Sequence, residues 1–177
     1  MDASETTERP RLWTQAGFRT DEWRRAAEEE ALTGTEKVIL PLETFLALDP
    51  AVRETALPRL GVEVLPGEAV EPLVPFLDRL PLVALAFPAF NDGRSYSKAQ
   101  LLRTRHGYKG ELRASGDVLI DQLPFMLRCG FSSFEVRNKT AIERLEAGRL
   151  GGIPLYYQPA AAAAPRTAKY AWRRAAG

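Results

Sequence analysis

Apolar residues cluster in short continuous runs between stretches with helical spacing, and that alternation recurs along most of the chain. Val38-Ile39-Leu40 is the first run, and in the helical stretch after it Asp49 is placed to cap and Pro50 to occupy the first turn. Val62-Glu63-Val64-Leu65 is the second run. Its return segment, Val70 to Leu80, holds Pro72 and Pro75 and should be short or irregular. Leu82 to Phe87 is apolar on both faces, as in a strand covered on both sides. A helix is predicted over Ser97 to His106, ending at Gly107, followed by a strand at Glu111-Leu112-Arg113-Ala114. Asp117 then opens a helix that ends at Cys129-Gly130, unless Pro124 delays its start. Phe134-Glu135-Val136 is the last strand, and Thr140 caps a helix over Ala141 to Leu150.

About five strands thus alternate with helices, and the connections are too long for hairpins. Such spacing favours parallel strands with right-handed crossovers. The predicted class is α/β: a mostly parallel open sheet with flanking helices, with a half-barrel that pairs in a homodimer as the alternative. Residues 1–20 form an N-terminal arm with Trp13 and Phe18 as docking points. Thr20-Asp21 begins a helix through Glu22-Trp23-Arg24-Arg25-Ala26-Ala27 to Gly34, on which Glu28-Glu29-Glu30 is a solvated face. The α/β domain spans residues 21–158, and a basic, Ala/Pro-rich tail spans 159–177 with Tyr170 and Trp172 as anchors.

Composition narrows the function. A hydrophobic fraction of 45% and a charged fraction of 27% in 177 residues suit one globular domain. A net charge of +1 supplies no global field toward nucleic acid or a membrane surface. The single cysteine, Cys129, cannot form an intramolecular disulfide, and metal-ligand spacings, Gly-rich dinucleotide loops and Walker loops are missing. No metal is expected, and no cofactor is identified. No stretch approaches the ~18 apolar residues of a membrane span, and the first ten residues lack a signal-peptide pattern. Cytoplasmic location follows by elimination.

Chemistry concentrates where a parallel sheet would gather its loops. These are Asn91-Asp92-Gly93-Arg94 with Ser97 after the third strand, Arg113 to Asp117 after the fourth, and Arg137-Asn138-Lys139-Thr140 after the fifth. Between Asn91 and Ala114, six basic residues (Arg94, Lys98, Arg103, Arg105, Lys109, Arg113) face two acids, Asp92 and Glu111. That surplus, the Ser97 helix start and the guanidinium forks of Arg94 and Arg113 suit an anion. The expected ligand-binding set is Asp92, Arg94, Ser97, Arg113, Asp117, Gln122 and Arg137. A structural reading stands beside it, in which Ser97 and Asp117 are N-caps and the arginines pair with Asp92, Glu111 or Asp117. Asp117 and Asp121, one helical turn apart, are candidate acid–base residues, although a helix macrodipole also favours acids there. His106 and Cys129 both sit at predicted helix ends, where a stabilising imidazolium and a packed thiol need no catalysis.

The block Phe87-Pro88-Ala89-Phe90-Asn91-Asp92-Gly93-Arg94, with Leu102-Arg103-Thr104-Arg105, Gly110-Glu111-Leu112-Arg113-Ala114, Gly116-Asp117-Val118, Asp121-Gln122 and Arg128-Cys129-Gly130-Phe131, resembles the bacterial domain of unknown function nine-three-four. Members are often labelled oxidoreductases of sulfite reduction, and the resemblance covers roughly residues 35–155. It implies an association with assimilatory sulfite and sulfate reduction. Electron transfer through Fe–S clusters or haem-like rings needs several Cys or His ligands, and this chain has one of each. The expected role is therefore auxiliary: binding a small anion, sulfite reductase or another sulfur-assimilation protein. Two alternatives are a small enzyme acting on a carboxylate, phosphate or sulfur oxyanion, and a structural interaction subunit.

Overall fold

Each apolar run becomes a strand whose alternate residues point to opposite faces, and the helices cover only one of those faces. The computed structural model describes residues 10–26, 32, 34–89 and 91–151. Its strands are β1 (Arg11–Thr14), β2 (Gly17–Arg19), β3 (Trp23–Arg25), β4 (Lys37–Pro41), β5 (Leu60–Val64), β6 (Leu82–Phe87), β7 (Glu111–Gly116) and β8 (Ser133–Val136). Its α-helices are α1 (Leu42–Ala47), α2 (Pro50–Ala56), α3 (Arg94–Gln100), α4 (Leu123–Cys129) and α5 (Lys139–Glu146).

All eight strands form one mixed sheet in the order β2-β1-β8-β7-β6-β5-β4-β3. β3 through β8 pair with their sequence neighbours in parallel, whereas β1 is antiparallel to both β2 and β8. The expected mostly parallel sheet of about five strands is therefore corrected to a mixed sheet of eight. The additional strands come from the segment expected to be an arm and a helix. Residues 11–19 are a hairpin, and Trp13 docks on Phe134 with ring centroids 5.6 Å apart. Trp23-Arg24-Arg25, expected to be helical, lies beside β4. Asp21 there caps no helix; its Oδ1 accepts from the Trp23 N–H at 3.1 Å in a local turn. Residues 27–31 and 33, including Glu28 to Glu30, and the tail from residue 152 lie outside the described residues.

The sheet curls. Five strand spacings separate β8 from β3, which in a flat sheet is about 24 Å. Yet Arg25 Nη1 on β3 lies 2.8 Å from Glu135 Oε1 on β8. Only a half-barrel, with its two ends approaching across a concave face, satisfies both facts. The alternative reading of an open sheet versus a half-barrel is resolved toward the curled form.

The convex face holds the main core. Val38, Leu40, Val62, Val64, Val83, Leu85, Phe87, Leu112, Ala114, Phe134 and Val136 pack there against Phe45, Leu57, Leu73, Leu102, Met126 and Leu145 from the connecting segments. Burying a side chain of this size contributes about 1.5–3 kcal/mol, so this one-sided layer accounts for most of the drive to fold. The concave face has a small apolar floor of Ile39, Leu82 and Ala84 with Trp23 against it. Much of the rest of that face carries charged side chains, among them Arg25, Glu63, Glu111, Arg113 and Glu135.

Local signals set the connections. Asp49 caps α2 as expected, accepting from Ala51 N at 2.8 Å and Val52 N at 3.3 Å, with Pro50 in the first turn. The proline-bearing return after β5 is a 3-10 helix over Glu71–Phe76. α3 begins at Arg94, three residues before the expected start at Ser97, because Ser95 anchors its first turn by donating to Ala86 O at 2.7 Å. It continues as a π-helical stretch, Leu101–Arg105, before the turn at Gly107. α4 starts at Leu123, not Asp117: a 3-10 turn over Ile120–Gln122 precedes it and Pro124 occupies its first turn, where no N–H is required. α4 ends at Gly130, whose φ of 104° permits the left-handed cap. Asn138, not Thr140, caps α5, accepting from Ala141 N at 2.9 Å.

Candidate functional site

β6, β7 and β8 are parallel neighbours, so the chain leaves all three at one edge. Asp92, Arg94, Asp117, Gln122 and Arg137 follow those strands and stand at that edge. Phe87 pairs with Gly116 in register, and the Asp117 N–H donates to Phe87 O at 2.7 Å, fixing the second loop beneath the first. Gly116 makes this possible: its φ is 91°, and a Cβ there would meet Phe87 O at 2.3 Å.

Asp92 and Arg94 form a two-pronged pair, with Arg94 Nε 3.0 Å from Asp92 Oδ1 and Nη2 2.7 Å from Oδ2. The hydrogen bonds from Arg94 hold the Asp92 carboxyl well down, at about 2. Arg94 is 63% exposed, and its Nη1 donors face away from that pair. Lys98, one turn on, reaches the Leu65 carbonyl after β5, and burial lowers its ammonium below the usual lysine range. Arg137 and Lys139 are exposed beside β8. Ser97 is exposed within α3, so the free N–H groups expected at a Ser97 helix start are absent from that position. Asp121 is 86% exposed and 3.8 Å from Arg144. Asp117 and Asp121 do not share a helical face, because residues 117–119 are not helical.

The basic surplus between residues 91 and 114 does not form one patch. The stretch from α3 to β7 crosses from the carboxyl edge of the sheet to its amino edge, carrying Arg103, Arg105 and Lys109 away from Arg94. Arg103 is a structural clamp, donating to Gly130 O at 2.9 Å, Tyr108 O at 2.6 Å and Gly110 O at 2.9 Å. Arg113 belongs to neither edge. β7 continues to Gly116, so Arg113 lies mid-strand and points into the concave face, fully buried.

There it organises a charged network. Its Nη1 and Nη2 reach Asp21 at 2.8 and 3.1 Å, Nε and Nη2 reach Glu111 Oε1 at 3.1 and 2.9 Å, and Nη1 lies 3.5 Å from Glu135 Oε1. Arg25 bridges Glu135 at 2.8 Å and Glu63 at 2.9 Å, and Ser115 donates to Glu63 at 2.9 Å. Ser133 donates to Glu111 at 2.6 Å. Although burial opposes the charge on Arg113, the carboxylates around it raise its affinity for a proton above the arginine norm. Asp21, Arg25, Glu63 and Glu135 were not among the residues expected to form a site. Their signal was available: Glu63, Arg113 and Glu135 each interrupt an apolar strand at the position whose neighbours face the core.

His106 terminates the π-helical stretch after α3. Cys129 is buried, receives a Gln100 side-chain contact at 3.7 Å, and has its thiol pushed up by burial. It is a packing residue, as its sequence neighbours implied.

The family model for bacterial proteins of unknown function (DUF934) matches residues 61–167, more than half of the chain. No curated protein matches it. That stretch carries β5 through α5, the carboxyl edge and most of the charged network. The chain belongs to the DUF934 family of bacterial proteins of unknown function.

Proposed function

We propose that this protein is an auxiliary factor of assimilatory sulfite or sulfate reduction that binds a small oxyanion, or the reductase itself, at the carboxyl edge of β6–β8. One observation carries the reading: Arg94 and Arg137 are exposed directly after β6 and β8, the two parallel strands that flank β7, so both stand at one edge of the sheet. Two of the five donors of Arg94 are engaged by Asp92, and the Nη1 pair remains for a second acceptor. An oxyanion offers acceptors matched to such a fork. Asp92 would then hold the guanidinium in place and not compete for it. Binding at an exposed edge also suits recognition of a partner's acidic surface, which needs no enclosed pocket.

Sulfite, sulfate and phosphate should each raise the melting temperature of the full chain above a sodium chloride control of equal ionic strength. Arg94→Ala and Arg137→Ala should each abolish the increase, and immobilised protein should retain sulfite reductase less well after either change. Equal melting temperatures across the anion panel, together with unchanged reductase retention by both variants, would remove the proposal.

A further inference from the structure

The concave network is one positive charge short. Among the described residues three guanidinium groups, Arg19, Arg25 and Arg113, serve four carboxylates, Asp21, Glu63, Glu111 and Glu135. Among the described residues Arg19 reaches Glu111 Oε2, at 2.9 Å. Asp21 and Glu111 are satisfied by Arg113, Arg19 and the Ser133 hydroxyl. Water can offset the deficit least at Glu135, the most deeply buried of the four carboxylates, whose side chain is 2% exposed. Its Oε1 takes both Arg25 and Arg113, while its Oε2 is buried without a hydrogen-bond partner among the described residues. A buried carboxylate oxygen left bare is costly, and charge-assisted donors are the strongest remedy.

The neighbours of Glu135 show what could supply the missing charge. Arg25 is 39% exposed and Glu63 is 25% exposed, so the network opens to solvent beside Glu135. Among the described residues Glu63 accepts from Arg25 and Ser115 through Oε1. Among the described residues no group of three carboxylate, histidine or cysteine side chains is arranged to hold a metal ion. An ammonium group fits better than a metal: it carries one positive charge and three N–H donors, and it needs acceptors without a fixed coordination geometry. We infer that the open side of the half-barrel, between Glu63, Ser115 and Glu135, is a binding site for a primary ammonium group. The group comes either from a small amine or from a lysine side chain of a partner. This site is separate from the oxyanion edge, and its test does not depend on sulfite or sulfate.

Methylammonium chloride is the probe for a small amine and n-butylammonium chloride for a lysine side chain, each compared with tetramethylammonium chloride at equal ionic strength. Both primary amines should raise the melting temperature of the full chain, and tetramethylammonium, which has no N–H, should not. A larger effect of n-butylammonium assigns the site to a lysine; a larger effect of methylammonium assigns it to a small amine. Glu135→Gln should abolish the shift. If that variant does not fold, Glu63→Gln at the rim should reduce the shift at least threefold. Equal shifts with all three cations, no shift with either amine, or a full shift retained in Glu63→Gln would overturn the inference. So would an infrared carbonyl band from a protonated Glu135 at neutral pH, because a neutral carboxyl removes the charge deficit.

Discussion

Replacing Arg113 by Met tests the central feature of the fold, a guanidinium buried inside a curled sheet. Met preserves much of the side chain's length and apolar stem but removes the charge and every donor. Arg113 is 0% exposed and holds Asp21, Glu111 and Glu135 within 2.8–3.5 Å. Removing one partner from a buried ion pair costs about 3–5 kcal/mol. The lower end applies here, because Asp21 and Glu111 are 30% and 18% exposed and can rehydrate, and Glu135 keeps Arg25. The expected loss is therefore about 3 kcal/mol, a large part of the roughly 5–15 kcal/mol of a typical domain. For a chain of this size that corresponds to a fall of roughly 6–12 °C in melting temperature. Urea unfolding followed by circular dichroism gives the free energy directly, and a cycle with Asp21→Asn isolates the closest pair. Coupling between contacting residues of this kind is about 0.5–3 kcal/mol. Arg94→Met, at the exposed edge, is the comparison and should cost less than about 1 kcal/mol, the range of an exposed ion pair. A loss below about 1 kcal/mol for Arg113→Met would mean that the charge is not desolvated, and the account of the concave face would fail.

Three further outcomes follow from particular contacts. Asp92 should titrate at about 2 in a carbon NMR experiment, and Arg94→Ala should return it toward the ordinary 3.8. Because its folded-state value is depressed, the contribution of this pair is complete above about pH 4 and disappears as pH falls toward 2; an unshifted Asp92 in the native protein would contradict the pair. Cys129 should resist iodoacetamide in the native protein and react once it is unfolded, since burial both hides the thiol and keeps it protonated; equal rates in the two states would refute its packing role. Gly116→Ala should destabilise by more than about 1 kcal/mol, because the left-handed backbone alone costs an L-residue that much and the new Cβ would press on Phe87 O; a neutral result would show that the β6–β7 junction relaxes freely.

Much of this fold was legible from one dimension. Short strand-like runs, continuous and apolar in β6 and interrupted by single charged residues in β5, β7 and β8, identified β4 through β8 to within a few residues. Capping chemistry placed α2 and the end of α4, because Asp49, Pro50 and Gly130 act on backbone groups only a few residues away. Parallel direction followed from connection length alone. It is why Asp92, Asp117 and Arg137 share an edge.

What the sequence could not specify depends on groups that meet only after the sheet curls. Trp23-Arg24-Arg25 has good helical propensity, but Arg25 gains two carboxylates, Glu63 and Glu135, from strands 38 and 110 residues away. Helix propensity differs among ordinary residues by less than ~1 kcal/mol each, so such long-range pairing overrides it. The short β1–β2 hairpin is stabilised in the same way, by Trp13 against Phe134. Arg113, which in sequence resembles a loop arginine near a helix start, became the centre of a buried network once β7 ran on to Gly116 and the curl brought Asp21 to it. Local patterning determined β4 through β8 and their parallel direction. The tertiary structure decided the curl, and with it which charges are buried, because only closure of the concave face puts distant carboxylates and guanidinium groups beyond the reach of water.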